Sequence, residues 1–265
     1  DWSSDVCSSD LAILIITDGS MPNSANFMAS YGQGVYLNWL ATRSGASASG
    51  AAISLEPRFW FNPELESRRI LVPGAIAAVM AVIGTMLTAM VVAREWERGT
   101  MEAIMSTPAS MLEIMMSKLL PYFLMGEMAI LGCTFATTRI MGVPMEGSLM
   151  AMMLISTAFL LPALAQGLLI SSLVKSQFTA SEIALMTALL PALMLSGYLF
   201  EIQSMPAVIR AITYILPAKY YVSSLQTLFV AGDVWSELLR NMAMLIIIGT
   251  AFFVIILVRV RKRLD

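Results

Sequence analysis

Five apolar runs, each close to the length that crosses a lipid bilayer, constrain this chain more than any other feature. A helix needs about 20 predominantly apolar residues to span the hydrocarbon core. The composition agrees, because 58% of the 265 residues are hydrophobic and 13% are charged, whereas about a quarter of a soluble domain is charged. The sequence predicts an all-α polytopic membrane protein, with spans at about 71–93, 119–138, 149–174, 183–200 and 242–258.

Composition also excludes several classes of function. A net charge of −2 does not favour a nucleic-acid partner. Histidine is absent and the two cysteines are Cys7 and Cys133, so histidine-based metal sites and Ser-His or Cys-His nucleophile pairs are not available. No GxxxxGK[ST] motif occurs, and the chain therefore lacks a P-loop for ATP. We expect no metal, no bound cofactor and no enzymatic activity of its own.

The first eleven residues, DWSSDVCSSDL, differ from all that follows. They have no basic residue and no apolar run, so they are not a secretory signal. Back-translated in one frame, they resemble a common sequencing adapter that ends in the codon for Leu11. We therefore expect 1–11 to be a sequencing artefact, and the natural protein to continue upstream of the junction.

Residues 12–69 have the pattern of a small water-exposed domain. AILIIT reads as a buried strand and is followed by turn residues. Pro22-Asn23-Ser24 starts a helical segment that reaches about Ala41. A loop at 44–52 leads to a second extended stretch, ISLEPRFWFNPEL. We expect the C-terminal part of an extracytoplasmic α/β domain here, followed by a transmembrane domain at 70–265.

Basic residues near the predicted span ends set the orientation, since they concentrate on the cytoplasmic side. Five crossings with a cytoplasmic C-terminus leave Arg68 and Arg69 on the wrong side, although a folded domain translocates largely regardless of charge. The same topology places eight other basic residues inside and four outside. The inner set is Arg94, Arg98, Lys118, Lys175, Arg259, Arg261, Lys262 and Arg263; the outer set is Arg139, Arg210, Lys219 and Arg240.

The segment REWERGTMEAIMSTPASMLEIMMSK is too polar to cross the membrane and too regular to be a linker. Gly99 breaks the preceding helix, Thr100 can cap a new one, and Pro108 ends it. An apolar stripe at helical spacing lies between them, formed by Met101, Ile104 and Met105. The pattern predicts a short amphipathic helix at about 99–107. It is either an interfacial helix in the lipid headgroups or a docking helix for a cytoplasmic partner.

Two polar residues lie within the predicted spans. A carboxylate at Glu127 costs several kcal/mol unless it is neutralised or paired. It lines a transport pathway or a dimer interface, or it is a protonated group without a transport role. Gln166 is either a second pathway residue or a helix–helix hydrogen bond.

Residues 201–230 are moderately apolar and are broken by Pro206 and Pro217. Non-helical backbone at membrane depth is tolerated only when it is buried in protein or lines a cavity. A pair of short helices that enters the membrane from outside and returns satisfies this rule. The adjacent Ser196-Gly197 provides a small surface for close packing.

Three blocks of the chain resemble ABC-2 type transporter permeases. The first runs from Glu97 to Glu102 and continues through Thr107-Pro108 and KLLPY. The second is SGYLFEIQSMPAVIRAITYILPAKYYVSSLQTLFVAG. The third comprises TDGSMPNSA, PRFWFNPEL and LVPG, which are similar to the drug-export branch. The resemblance assigns ATPase coupling to Glu97, Arg98, Gly99, Thr100, Glu102 and Pro108, and the outer re-entrant hairpin to Ser196, Gly197, Pro206, Pro217, Tyr220 and Tyr221.

The resemblance implies a permease subunit of an ATP-driven ABC exporter in the bacterial inner membrane, with five of six spans present. ATP and Mg²⁺ would bind a separate ATPase chain, and a second permease copy, identical or different, would complete the pathway. Membrane lipid and a periplasmic adaptor protein are further partners implied by the branch. Relatives export drugs, lipids, polysaccharides and peptides. The alternative from the residues themselves is an ion-coupled transporter or channel that uses Glu127.

Overall fold

A computed structural model describes residues 30–32, 34–36, 38–39, 42, 68–106, 111–174, 176–200, 202 and 205–261. The chain divides into two units, residues 1–67 and 68–265. The described residues of the first unit are helical, and the Thr42 hydroxyl donates to the Asn38 carbonyl at 2.7 Å. They fall within the segment where a helix is predicted. The two predicted strands of the α/β domain lie outside the described residues.

The second unit is a helical bundle. Pro73, Pro121 and Pro162 lie inside three of its long helices, and two of the helices end in π-helical turns, Ala136–Ile140 and Pro191–Leu195. The described part of this unit contains no strand. Its helices are α1 Arg68–Glu97, α2 Thr100–Met105, α3 Met111–Phe135, α4 Leu149–Leu173, α5 Gln177–Leu190, α6 Ala207–Thr213, α7 Pro217–Val230 and α8 Trp235–Arg261.

Five helices in the described part of the chain are long and apolar enough to cross a membrane, in agreement with the predicted number of spans. They cover Arg68–Glu97, Glu113–Ile140, Leu149–Leu173, Gln177–Leu195 and Trp235–Val258.

The bounds of the last two spans differ from the sequence prediction. The fourth helix begins at Gln177 and not at 183, and it ends before 196–200, because Gly197 turns the chain with a φ of +89°. The fifth begins at Trp235 and not at 242. Its polar first turns are helical, with Glu237 and Arg240 paired on the surface.

Small residues let α1 and α4 pack closely near the centre of the bundle. A Cβ atom on Gly167 of α4 would lie 2.3 Å from the backbone oxygen of Thr85, and one on Gly84 would lie 3.1 Å from the Ala163 Cβ. The Thr88 hydroxyl donates a hydrogen bond to the Gly84 carbonyl at 2.8 Å. This is a small-residue interface of the kind that lets helix backbones approach in membranes, and the spacing Gly84-xxx-Thr88 and Ala163-xxx-Gly167 was its signal in the sequence.

Helix α7 is fixed at both ends. Its C-terminal end meets the loop before α4, where the Gly147 N–H donates to the Leu228 carbonyl at 2.9 Å and the Ser148 N–H donates to Asp233 Oδ1 at 2.8 Å. Its N-terminal end lies beside the middle of α4, since Pro217 lines a small cavity together with Phe159 and Gln166. Fourteen residues rise about 20 Å. The helix therefore runs from the middle of the bundle to one of its ends.

Candidate functional sites

The short helix α2 projects from the end of α1. Gly99, at a φ of +71°, reverses the chain after Glu97, and its N–H donates to the Trp96 carbonyl at 3.2 Å. Left-handed backbone favours glycine, because other residues clash there. Helix α2 lies within the predicted segment 99–107, whose last residue, Thr107, lies outside the described part of the chain, as does Pro108.

Helix α2 presents two different sides. The Met101 side chain is buried at 4% exposure, whereas Ala103 and Ser106 are exposed, as are Arg98 and Gly99. Burial of one side and exposure of the other is the pattern expected of a helix that rests on the bundle and presents a face outward. The side chain of Glu102 is outside the described set.

Glu95 joins three helices at this end of the bundle. Its Oε1 atom lies 2.7 Å from Lys118 Nζ on α3, and its Oε2 atom accepts a hydrogen bond from the Thr100 hydroxyl at 2.7 Å. Thr100 is the first residue of α2, and its hydroxyl binds Glu95 on α1, a role different from the predicted cap. Sequence reasoning missed Glu95. The sequence feature that could have indicated Glu95 is a carboxylate one turn before Gly99. It lies at the end of a predicted span, on the same predicted side of the membrane as Lys118.

A second connection joins α1 to the start of α5. The Gln177 N–H donates to Glu97 Oε2 at 2.9 Å, and the Arg94 Nε–H reaches Gln177 Oε1 at 3.4 Å. A carboxylate at a helix N-terminus satisfies a free N–H group and interacts favourably with the helix dipole. Glu97, assigned to ATPase coupling by resemblance, therefore contacts another span of its own chain.

Glu127 lies at the middle of the Glu113–Ile140 span, with 8% of its surface exposed. Its Oε1 atom accepts a hydrogen bond from the Thr157 hydroxyl of α4 at 2.8 Å. Its Oε2 atom is buried and has no hydrogen-bond partner among the described residues. The side chain faces the α3–α4 contact within one copy of the chain. The neighbouring Gly126 also packs closely against α4, because a Cβ atom there would lie 2.8 Å from Leu160 Cδ2.

Tyr221 anchors α7 to α4. Its ring stacks on Phe159, with the centroids 4.0 Å apart and the planes at 4°. Its hydroxyl lies 3.0 Å from Ser156 Oγ, and no part of the side chain is exposed. A buried tyrosine normally finds such a partner for its hydroxyl, and this contact sets the depth of α7 along α4.

Two prolines delimit the helix pair formed by α6 and α7. Pro206 directly precedes α6 and Pro217 is the first residue of α7, a position that tolerates a missing N–H. The Tyr220 hydroxyl of α7 donates to the carbonyl of Tyr214, in the turn between the helices, at 2.8 Å. Lys219 Nζ lies 3.2 Å from the centroid of the Tyr214 ring.

The residues Ser196 and Gly197 end the fourth span. The Ser196 hydroxyl donates to the Ala192 carbonyl, and the Tyr198 N–H donates back to Ser196 Oγ at 3.3 Å. The close packing predicted for Ser196-Gly197 occurs instead at Gly74 of α1. A Cβ atom on Gly74 would lie 2.0 Å from Tyr198 Cδ2. Ser196-Gly197 therefore forms the turn that directs Tyr198 onto α1.

Gln166 connects α4 to α5, since its Nε2–H donates to the Thr187 carbonyl at 3.2 Å. Both residues line the small cavity at the N-terminal end of α7, together with Ala81 of α1 and Pro191. The cavity therefore lies between the start of α7 and the middle of three spans. Within the described part of the chain, no cluster of three or more Cys, Asp or Glu side chains could hold a metal ion.

Comparison with known proteins gives a consistent result. The sequence profile of a family described as ABC-2 family transporter protein matches residues 8–258. The probable multidrug ABC transporter permease YbhS of Escherichia coli K12 is 46% identical over 255 residues, which cover 96% of this chain and 68% of the relative. The probable multidrug ABC transporter permease YbhR of the same strain is 28% identical, covering 84% and 62%. The inner membrane transport permease YhhJ, also from K12, is 32% identical, covering 79% and 56%. No solved structure matches.

Proposed function

The chain belongs to the ABC-2 family of transporter proteins, and on that basis we propose that it is the membrane-spanning subunit of an ATP-driven exporter. It is a multi-pass inner membrane protein and an ABC permease subunit, as the names of its relatives and its five apolar helices indicate. In the proposal, ATP and Mg²⁺ bind a separate ATPase chain. The permease itself carries out no chemistry, and it converts movement of the ATPase into movement of its helices.

The polar contacts at the base of α2, which hold α2 to α1 and join α1 to two further spans, are the observation that carries this proposal. Glu95 joins α2 to α1 and α3 through Thr100 and Lys118. Glu97, two residues on, binds the first N–H of α5. A helix that merely rested in lipid headgroups would need none of these polar contacts. A helix pushed by a partner needs all of them, because force applied to six residues must reach the spans.

Movement would then pass to the hairpin through α5. This helix begins at Gln177 and leads to the π-helical turn at Pro191. Thr187 and Pro191 line the same cavity as Pro217 of the hairpin. A small shift of α5 at its contact with Glu97 of α1 would therefore change the shape of the cavity and the position of α7. We propose that this movement of α7 opens the outward exit.

We further propose that α6 and α7 are re-entrant and that the C-terminus is cytoplasmic. Support comes from the depth of α7, whose Tyr221 meets the first half of α4 at Ser156 and Phe159 and whose Pro217 lines the cavity near the middle of α4. The excess of basic residues at the α2 end of the spans supports the orientation. A second permease copy, identical or different, completes the pathway in this proposal. The extracytoplasmic segment 12–69 is a candidate site for a periplasmic adaptor, by analogy with the drug-export branch.

An ion-coupled transporter that uses Glu127 is the second candidate. The buried Oε2 atom without a partner among the described residues favours it, since an intramembrane carboxylate is functional by default. The names of the relatives favour the ATP-driven permease.

The test of the proposed function is ATP-dependent transport by the full-length permease, reconstituted with its ATPase and compared with the variant Glu102→Arg. Charge reversal on α2 should abolish ATP-dependent export while the permease still inserts and folds. Arg210→Glu, a reversal on exposed α6, serves as the matched control and should retain coupling. Normal export by Glu102→Arg would contradict the docking role of α2.

A further inference from the structure

We propose that Lys219 on the hairpin is a binding site for the anionic group of an amphiphilic cargo. The inference rests on the proposed function and deepens it, because it names a class of cargo. The anionic group is a phosphate, sulfonate or carboxylate, carried either by a membrane lipid or by a soluble amphiphile.

The position of Lys219 is the first argument. Its two neighbours Pro217 and Ala218 line the cavity that also touches Phe159 and Gln166, near the middle of α4. A lysine close to the membrane midplane is expensive to keep, and such residues mark substrate or ion pathways. Those that serve only as anchors lie near helix ends, where the long side chain reaches the interface. Lys219 is the third residue of α7 and lies about 16 Å of helix rise before Val230, at the end of the bundle.

The contacts of Lys219 are the second argument. Nζ lies 3.2 Å from the centroid of the Tyr214 ring and 5.8 Å from that of Tyr220. No carboxylate of the described residues lies within salt-bridge distance of it. Glu95 and Glu237 pair with other cations. The rings compensate part of the lost hydration of the ammonium, but they accept no directed hydrogen bond, and an ammonium has three donors. An anion would satisfy them.

The surface around Lys219 is the third argument. Positions 219, 223, 226 and 227 lie on one side of α7 and are half-buried, while Tyr221, Leu225 and Leu228 on the other side are buried in the bundle. The half-buried side is polar, formed by Lys219, Ser223, Gln226 and Thr227. Polar side chains are costly to expose to lipid, and we therefore place this stripe on the transport pathway.

The neighbouring helix α6 supplies the complementary apolar surface. Val208 and Ile212 are exposed at 74% and 48%, and Ile215 in the following turn is exposed at 66%. A ligand with an anionic head and an apolar body fits this pair of surfaces, with its head at Lys219 and its body against α6. A cation would meet the charge of Lys219 and would be repelled.

Binding without ATP tests the inference separately from transport. The full-length permease is placed in phosphatidylcholine nanodiscs, and fluorescence anisotropy gives the dissociation constants of sulforhodamine B, which is net anionic, and rhodamine 6G, which is cationic and has the same xanthene core. Lys219→Gln should weaken sulforhodamine binding at least tenfold and change rhodamine 6G binding less than twofold. Lys219→Arg keeps the charge and should stay within threefold of wild type. Arg210→Gln removes an equal charge from an exposed site and is the matched control.

Nanodiscs that contain phosphatidylglycerol distinguish the two sources of the anion. Competition by this lipid in wild type, absent in Lys219→Gln, assigns the site to a lipid headgroup; no competition assigns it to a soluble amphiphile. Equal weakening of both dyes by Lys219→Gln, an equal effect of Arg210→Gln, or wild-type protein without preference for the anionic dye would overturn the inference. Selective binding without ATP-driven movement would contradict the proposed function alone, and ATP-driven export with unaltered dye binding in Lys219→Gln would contradict the inference alone.

Discussion

Lys118 Nζ lies 2.7 Å from Oε1 of Glu95, so the last turns of α1 are joined directly to α3. Both side chains are about three-quarters buried, with 22% of Lys118 and 25% of Glu95 exposed. The other oxygen of the same carboxylate holds Thr100, the first residue of α2. One carboxylate therefore sets the position of α2 relative to two spans.

Removing the charge of Glu95 should uncouple the transporter without unfolding it. A partly exposed ion pair contributes only about 0.2–1 kcal/mol to stability, so Glu95→Gln should fold and insert normally. Its ATP-dependent transport should fall several-fold while ATPase binding is retained. The exchanged pair Glu95→Lys with Lys118→Glu restores the attraction and should recover part of the transport. Transport at the wild-type rate in Glu95→Gln would show that the contact has no part in coupling.

Loss of the Glu97 carboxylate should loosen the start of α5. The Gln177 N–H donates to it at 2.9 Å, and removal of a side-chain cap costs about 0.5–2 kcal/mol of helix stability. Glu97→Ala should therefore speed hydrogen exchange of the first amides of α5 roughly tenfold, measured by mass spectrometry in nanodiscs. Exchange at the C-terminal end of α7, which Glu97 does not contact, provides the internal control. Equal acceleration at both places would indicate general destabilisation and would refute the local role.

Gly167 should not tolerate a larger side chain. A Cβ there would lie 2.3 Å from the backbone oxygen of Thr85, and backbone cannot move aside as a flexible side chain can. Overpacking of this kind costs about 1–3 kcal/mol, so Gly167→Ala should lower the thermal midpoint in detergent. Gly132→Ala on α3 is the matched control, because nothing lies within 4 Å of its Cβ. Alanine is the better helix former, and this control should be neutral or stabilising. The same midpoint for both variants would contradict the close packing of α1 and α4.

Two substitutions of Tyr221 should separate the contributions of its ring and of its hydroxyl to the docking of α7 on α4. Tyr221→Phe keeps the stack on Phe159 and removes the hydroxyl near Ser156, at a cost of about 1 kcal/mol. Tyr221→Ala removes the ring as well and should cost about 3–5 kcal/mol. Urea unfolding of the purified permease measures both. Similar losses for the two variants would mean that the ring does not dock α7 in the way described.

Glu127→Gln distinguishes the two candidate functions. The amide preserves the shape of the side chain and can still accept from Thr157, which donates to Oε1 at 2.8 Å. An ATP-driven permease should therefore keep transport that depends on ATP, with cargo preference altered at most. An ion-coupled transporter should lose all activity, because its titrating group is gone. Transport assays with ATP present and with an imposed proton gradient decide between them.

The five apolar runs carry most of the fold, because membrane spans satisfy their own backbone hydrogen bonds and can be recognised from length and hydropathy. Their ends were less predictable. Residues 235–241 are more polar than the run that follows, yet they are helical, and Glu237 and Arg240 pair there one turn apart. The fourth span stops at Leu195 because of Gly197 and the turn around it, a local backbone event that a hydropathy count does not register.

Prediction of the sites was similarly uneven. The breaks at Gly99, Pro206 and Pro217 could be seen in the sequence, because glycine and proline act on the backbone at their own position. The partners of Glu95 and Glu97 could not. Lys118 and Gln177 lie 23 and 80 residues away from them, and pairing across such distances is set by helix packing. The closest part of that packing is Gly167 against Thr85. Its small-xxx-small spacing can be seen in the sequence, but the spacing does not determine which helix packs against which.

Site-specific photo-cross-linking from Ala103 tests whether α2 contacts an ATPase subunit. This residue lies on the exposed side of α2, opposite buried Met101. A benzophenone amino acid at 103 of the full-length permease, co-expressed with the chain that carries the P-loop, should form an adduct with that ATPase. The same group at Val208 on α6, exposed at 74%, should not. We expect an ATPase adduct from position 103 alone. Adducts only with lipid from 103, or equal ATPase adducts from both positions, would show that α2 is not the docking helix.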